Sequence, residues 1–132
     1  MKNKVLVLVT NQYSCERLIR AGRKIADEHK LELSVLSVQP KSFALKQSEQ
    51  LDFLYSIAIE NHAEMTVHFE DNAVIDIKKH IKNIHASHII VGRPPQNKQS
   101  EFLKTLIKQA KDVVVYLVDD NGKYITLSHV VA

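Results

Sequence analysis

At 132 residues, with 45% hydrophobic and 25% charged residues, three Gly and three Pro, the chain has the composition of one globular domain, not of a linker, a low-complexity segment or a domain pair. Its net charge of +3 is spread along the chain without a basic block, an aromatic RNA-binding signature or zinc-finger spacing, which argues against nucleic acid as a partner. The single cysteine, Cys15, cannot form an internal disulfide and no apolar run is long enough to cross a bilayer, so the expectation is a cytoplasmic protein with no membrane insertion.

Lys4 to Thr10 is β-branched and apolar on both faces, the pattern of a central parallel strand. Asn11 to Ser14 is a turn, with Ser14 expected to cap the helix that follows. Leu18, Ile19, Gly22, Ile25 and Ala26 then recur at helical spacing, with polar Arg17, Arg20, Lys24 and Asp27 between them. Leu31 to Val38 is a second strand, stopped by Gln39-Pro40. Lys41 to Ser48 is polar and weakly periodic, a pattern that leaves its order open, and a helix follows over about Gln50 to Asn61. Glu64 to Phe69 is the third strand, and Glu70-Asp71-Asn72 is an acidic turn suited to cap the next helix. Val74, Ile77, Ile81 and Ile84 mark that helix. His88 to Val91 is the fourth strand, running into Gly92 and a basic, Pro-stiffened loop from Arg93 to Ser100. Phe102, Leu103, Leu106, Ile107 and Ala110 form a last helical face, and Val113 to Val118 a fifth strand. Asn121-Gly122 is a strong hairpin signal, so Lys123 to Leu127 is expected to return antiparallel as an edge strand.

Strands alternating with helices imply right-handed βαβ units. The expected fold is a single α/β domain: an open parallel five-stranded sheet with helices on both faces, a core over 4–118 and a hairpin tail over 119–132. Ligands of such sheets sit at the carboxyl ends of the strands, where Thr10 and Asn11 follow the first strand and Gly92 and Arg93 the fourth.

Three stretches of sequence, Val5-Leu6-Val7-Leu8-Val9, Ala63-Glu64-Met65-Thr66-Val67 and Ser87-His88-Ile89-Ile90-Val91-Gly92, make the chain resemble the universal stress protein family from about Lys4 to Val118. Glu16-Arg17-Leu18-Ile19-Arg20 and Val91-Gly92-Arg93-Pro94 look most like the stress-protein-like domain of Kdp-type potassium-sensing histidine kinases. The resemblance implies strand order 3-2-1-4-5, two chains meeting edge to edge, and in some members ATP held by a polar group after the first strand and by a Gly-x-x-Gly loop followed by Gly-Ser or Gly-Thr. Here Thr10-Asn11 stands after the first strand with no acid. Gly92 matches the first glycine and Pro95 replaces the second. The third falls on Thr105 by strict counting, or on Ser100 if the loop is shorter. Pro95 removes both flexibility and an N–H donor, so the phosphate cradle is degraded.

The implied site is therefore a degenerate adenine-nucleotide site. Thr10, Asn11, Ser14 and Val38 would face base and ribose, and Gly92, Arg93, Lys98 and Ser100 would face phosphate; ATP, AMP and cyclic di-AMP are the ligands the resemblance allows. Residue chemistry alone leaves alternatives open. Thr10, Asn11 and Ser14 equally make a turn and a helix cap, and Arg93 and Lys98 equally make solvated loop charges. His80, His85 and His88 lack ligand spacing and a joining carboxylate or cysteine, so no metal is expected. No nucleophile–base–orienter set is evident, so catalysis, nucleotide hydrolysis included, is not expected. The reading is a small regulatory, stress-response protein acting through ligand-modulated partner contacts. The rival is a ligand-free module that forms a homodimer through the fifth-strand edge or binds a sensor kinase or another regulatory protein.

Overall fold

The apolar runs lie side by side. In the computed structural model, which describes residues 3–93, 101–109 and 112–127, the strands are β1 (Lys4–Leu8), β2 (Glu32–Gln39), β3 (Glu64–Phe69), β4 (Ala86–Gly92), β5 (Val114–Val118) and β6 (Tyr124–Leu127). Their order across the sheet is β3-β2-β1-β4-β5-β6. The first five are parallel, and β6 runs antiparallel to β5. The helices are α1 (Glu16–His29), α2 (Glu49–Glu60), α3 (Ala73–Ile84) and α4 (Glu101–Gln109). None of the described helices is long and apolar enough to cross a membrane.

Alternation along each strand divides the core in two. Val5, Val7, Val35 and Ile90 pack with Ile19 and Ile25 of α1 and Leu54 of α2. Leu6, Leu36, Ile89 and Val115 point the other way, against Ile77 of α3 and Leu106 of α4. Both faces are thus covered, which is why the central strands carry continuous apolar sequence. Leu6, Leu36 and Ile89 are fully buried, each contributing about 1.5–3 kcal/mol by leaving water.

Chain order reverses between β1 and β4, the point at which open sheets of this kind present a crevice at the carboxyl ends of the strands. The turn after β5 follows its sequence signal: Gly122 has φ of 81°, its N–H donates to the Asp119 carbonyl at 3.1 Å, and the Asp119 carboxylate accepts from the backbone of Asn121 and Lys123. Asn72 caps α3 by accepting from the Ile75 N–H at 3.2 Å.

Several local expectations are corrected. Ser14 does not cap α1. Tyr13–Cys15 is a 3-10 turn that runs straight into the helix, so Cys15 precedes α1 with helical backbone angles and no side-chain cap. β1 stops at Leu8, short of Thr10. β4 begins at Ala86, because His85 ends α3 in the left-handed conformation (φ 57°) and the chain pairs at once with Lys4. The segment 41–48, whose order the sequence leaves open, contains a 3-10 turn, Lys41–Phe43, with the Lys41 N–H donating to Asp71 at 3.1 Å. The fifth-strand edge is closed in cis: β5 pairs with β4 on one side and β6 on the other, so a second copy meeting this side would meet β6.

Candidate functional site

At the carboxyl ends of β1, β2 and β3 lies an open cavity of about 610 Å³. Three side chains from strand ends line its floor: Gln39 at the end of β2, and Val67 and Phe69 two residues apart on β3. Period-two alternation puts Val67 and Phe69 on one face, while His68 between them turns toward α3. The walls come from the first turn of α2 (Ser48, Leu51, Asp52) and from Phe43 and Lys46 in the preceding segment. Asn11 closes the side nearest β1.

The walls are held by specific bonds. Ser48 caps α2 by accepting from the Leu51 N–H at 3.1 Å, and its hydroxyl donates to Asn11 Oδ1. The Glu70 N–H donates to the Gln39 carbonyl at 2.9 Å, joining the ends of β2 and β3. Buried Gln39 donates through Nε2 to Ser37 Oγ at 2.8 Å. Lys46 Nζ lies 5.0 Å from the Phe43 ring centroid, a cation–π contact that places positive charge at the rim. Tyr13 meets Phe53 edge-on at 5.4 Å and fixes the 3-10 turn against α2. Aromatic faces, amides, the Lys46 ammonium and the Asp52 carboxylate around an open volume suit a flat, polar-edged small molecule.

The residues singled out from the sequence are distributed as follows. Asn11 lines the cavity. Thr10 sits beside it, with its N–H and hydroxyl 3.4 and 3.5 Å from buried Cys15 Sγ. Val38 packs with the α3–α4 side of the core, and its neighbour Gln39 is the β2 side chain in the cavity. Gly92 ends β4 paired with Val118 in extended backbone; no positive φ occurs there. The Arg93 N–H donates to the Val118 carbonyl at 2.9 Å and its side chain is exposed. Thr105 lies inside α4, its hydroxyl donating to the Glu101 carbonyl. Pro95, Lys98 and Ser100 lie outside the described residues.

Arg17 was not singled out by sequence reasoning, yet it occupies the β4–β5 side of the crevice. Its Nε donates to the Asp119 carbonyl at 2.7 Å, its Nη1 to the Ser14 carbonyl at 2.6 Å, and its Nη2 lies 3.7 Å from the Asp120 carboxylate. A Cβ added to Gly92 would stand 3.5 Å from that Nη2. Gln39, Phe43, Lys46 and Phe69 were also passed over. Their nearness depends on strand register and on the path of 41–48, for which the local pattern holds no signal.

The histidines cluster elsewhere. His68 Nδ1 is 2.6 Å from Asp76 Oδ2 and its ring meets His80 edge-on at 5.2 Å, between β3 and α3. Burial, then the neighbouring His68, lowers the His80 pKa. His88 stacks near His29 and Tyr116, and burial followed by His29 lowers its pKa. Among the described residues no group of three or more His, Cys, Asp or Glu is placed to hold a metal.

The fold is shared with universal stress proteins. A universal stress protein solved in complex with cAMP superposes with a TM-score of 0.68 at 14% identity, over 90% of this chain and 98% of that one. The universal stress protein of Archaeoglobus fulgidus in complex with dAMP gives 0.63 at 16% identity, over 90% and 97%. UspA of Lactobacillus plantarum gives 0.62 at 14%, over 87% and 96%. No family model and no curated protein matches the chain.

Proposed function

We propose that this chain is a cytoplasmic regulatory protein of the universal stress type that binds an adenine nucleotide at the carboxyl ends of β1, β2 and β4 and acts through partner contacts, without turnover. The observation that carries this reading is the open, aromatic- and amide-lined cavity at the ends of β1, β2 and β3, on the β2 side of the β1–β4 reversal. Neighbours of the same fold solved in complex with cAMP and with dAMP support it. The base would lie over Phe69 and Phe43, where a flat π-face meets aromatic walls, with the Asn11 and Gln39 side chains at its edge. A site lacking an acid after β1, and with proline in place of the second glycine, favours weak over tight retention of a triphosphate. The Kdp-like stretches at Glu16–Arg20 and Val91–Pro94 make a potassium-sensing kinase the first partner class to test. Calorimetric titration with AMP, ATP, cAMP and cyclic di-AMP, on wild type and on Phe69→Ala, tests the reading. Heat with at least one nucleotide that falls in the variant is the expected result; silence with all four sinks it.

A second reading, a self-pairing module without ligand, draws on β6. Its outer edge has no strand partner among the described residues, and Ile125 is 56% exposed on it. Sedimentation analysis of wild type and Ile125→Lys separates the two: a dimer broken by the charge, with no nucleotide heat, favours pairing alone.

A further inference from the structure

We propose that Arg17 is the fixed anion ligand of this crevice and that Asp120 is the counter-ion an incoming phosphate replaces; this rests on the nucleotide reading above. Three observations lead there. First, the guanidinium stands over the end of β4, with Nη2 3.5 Å from where a Gly92 Cβ would be, on the far side of the β1 terminus from the aromatic cavity. The chain itself bridges the two positions: Asn11 lines the cavity, and three residues on, the Ser14 carbonyl accepts from Arg17. A ligand with an aromatic ring at one end and an anion at the other would use both positions.

Second, Arg17 is already held in place. Nε and Nη1 are committed to the Asp119 and Ser14 carbonyls, and the side chain is 21% exposed. An anion arriving at Nη2 therefore immobilises no free side chain, the cost that a solvated Arg93 would carry. Carbonyl partners carry no formal charge, so the groups that hold the guanidinium in place do not neutralise it.

Third, the one carboxylate facing Nη2 among the described residues is weakly engaged. Asp120 is fully exposed and 3.7 Å away, beyond hydrogen-bond distance. Exposed ion pairs of this kind contribute little, so replacement by a phosphate is cheap. The anion is a phosphate or diphosphate group carried on a nucleotide.

The test is calorimetry at low salt with adenosine, ADP and inorganic pyrophosphate, on wild type, Arg17→Gln and Asp120→Asn, with circular dichroism to verify folding. Wild type should bind ADP more tightly than adenosine. Arg17→Gln should weaken ADP and pyrophosphate roughly ten- to hundredfold and leave adenosine unchanged. Asp120→Asn should tighten pyrophosphate roughly two- to fivefold by removing the competitor. Because Asp120 is exposed, this second variant decides the matter even if Arg17→Gln fails to fold. Unchanged pyrophosphate affinity in Asp120→Asn, or in a folded Arg17→Gln, overturns the inference. Adenosine bound as tightly as ADP overturns it and leaves the base site standing. Pyrophosphate binding that depends on Arg17, with neither adenosine nor ADP bound, supports the anion site and sinks the nucleotide reading. Silence with all three ligands sinks both.

Discussion

Asn11 accepts a 2.5 Å hydrogen bond from the hydroxyl of Ser48, 37 residues later in the chain. That bond ties the end of β1 to the start of α2, and the same Ser48 oxygen caps the helix. One hydroxyl therefore sets both the helix start and the nearer wall of the cavity. Ser48→Ala should cost about 1 kcal/mol, the usual value of a lost N-cap, and Asn11→Ala less. Urea denaturation of the two variants measures this. Equal stability of Ser48→Ala and wild type would show that the cap is dispensable.

Two glycines should respond oppositely to one methyl group. A Cβ on Gly22 would fall 2.6 Å from Val7 Cγ2 and 2.9 Å from Leu33 Cδ1, both in the α1–α2 core. Gly22 is the close-packing point of α1 on the sheet, so Gly22→Ala should destabilise by about 1–3 kcal/mol through overpacking. At Gly92 the nearest atoms would be 3.5 and 3.6 Å away and the backbone is extended, so Gly92→Ala should stay within about 0.5 kcal/mol of wild type. Thermal melts of both decide it; a large loss at Gly92 would mean that this position needs glycine for its backbone after all.

Acid should weaken the fold through His80. Burial and the adjacent His68 depress its pKa below the ordinary 6.5. The unfolded chain then binds a proton that the folded chain resists, so the contribution is fully present above about pH 6.5 and is lost as pH falls through the folded value. The groups facing His80 are His68 and Glu64 on β3, Asp76 on α3 and Lys4 on β1; the two carboxylates oppose the shift and the two bases promote it. Melting temperature should therefore fall on acidification from pH 7 toward pH 5, and His80→Leu should flatten the slope. An identical slope in the variant would remove His80 from the account.

Lys30 ends α1 with φ of 56°, in the left-handed conformation where glycine is at ease and a side chain is not. Lys30→Gly should stabilise by up to about 1 kcal/mol, less what glycine adds to the entropy of the unfolded chain. Chemical denaturation gives the sign directly, and a loss would show that the lysine side chain contributes more than its backbone costs.

The sheet was legible because its strands are apolar on both faces and its helices keep clean spacing, as at Val74, Ile77, Ile81 and Ile84. Strand order came from the resemblance, and the β5–β6 pairing from Asn121-Gly122. Ser14 misled because a capping residue type can equally occupy a short 3-10 turn, where its carbonyl and not its hydroxyl takes part. The site was legible only in location. Asn11 could be picked from its place after β1, but Val38 and Gln39 are separated by the pleat: one position decides which face a side chain joins. Arg17 reads as one more polar position on an amphipathic helix; its role comes from a turn 102 residues away.

Titration of isotope-labelled protein with ADP, followed through backbone amide shifts, shows whether a nucleotide base occupies the space between Phe69, Gln39 and the Asn11–Ser48 tie. Saturable shifts concentrated at Asn11, Gln39, Ser48 and Phe69 are expected from a base bound there, with a second group at Arg17 and Gly92. Shifts confined to the α3–α4 face, or none at saturating ADP, would contradict it.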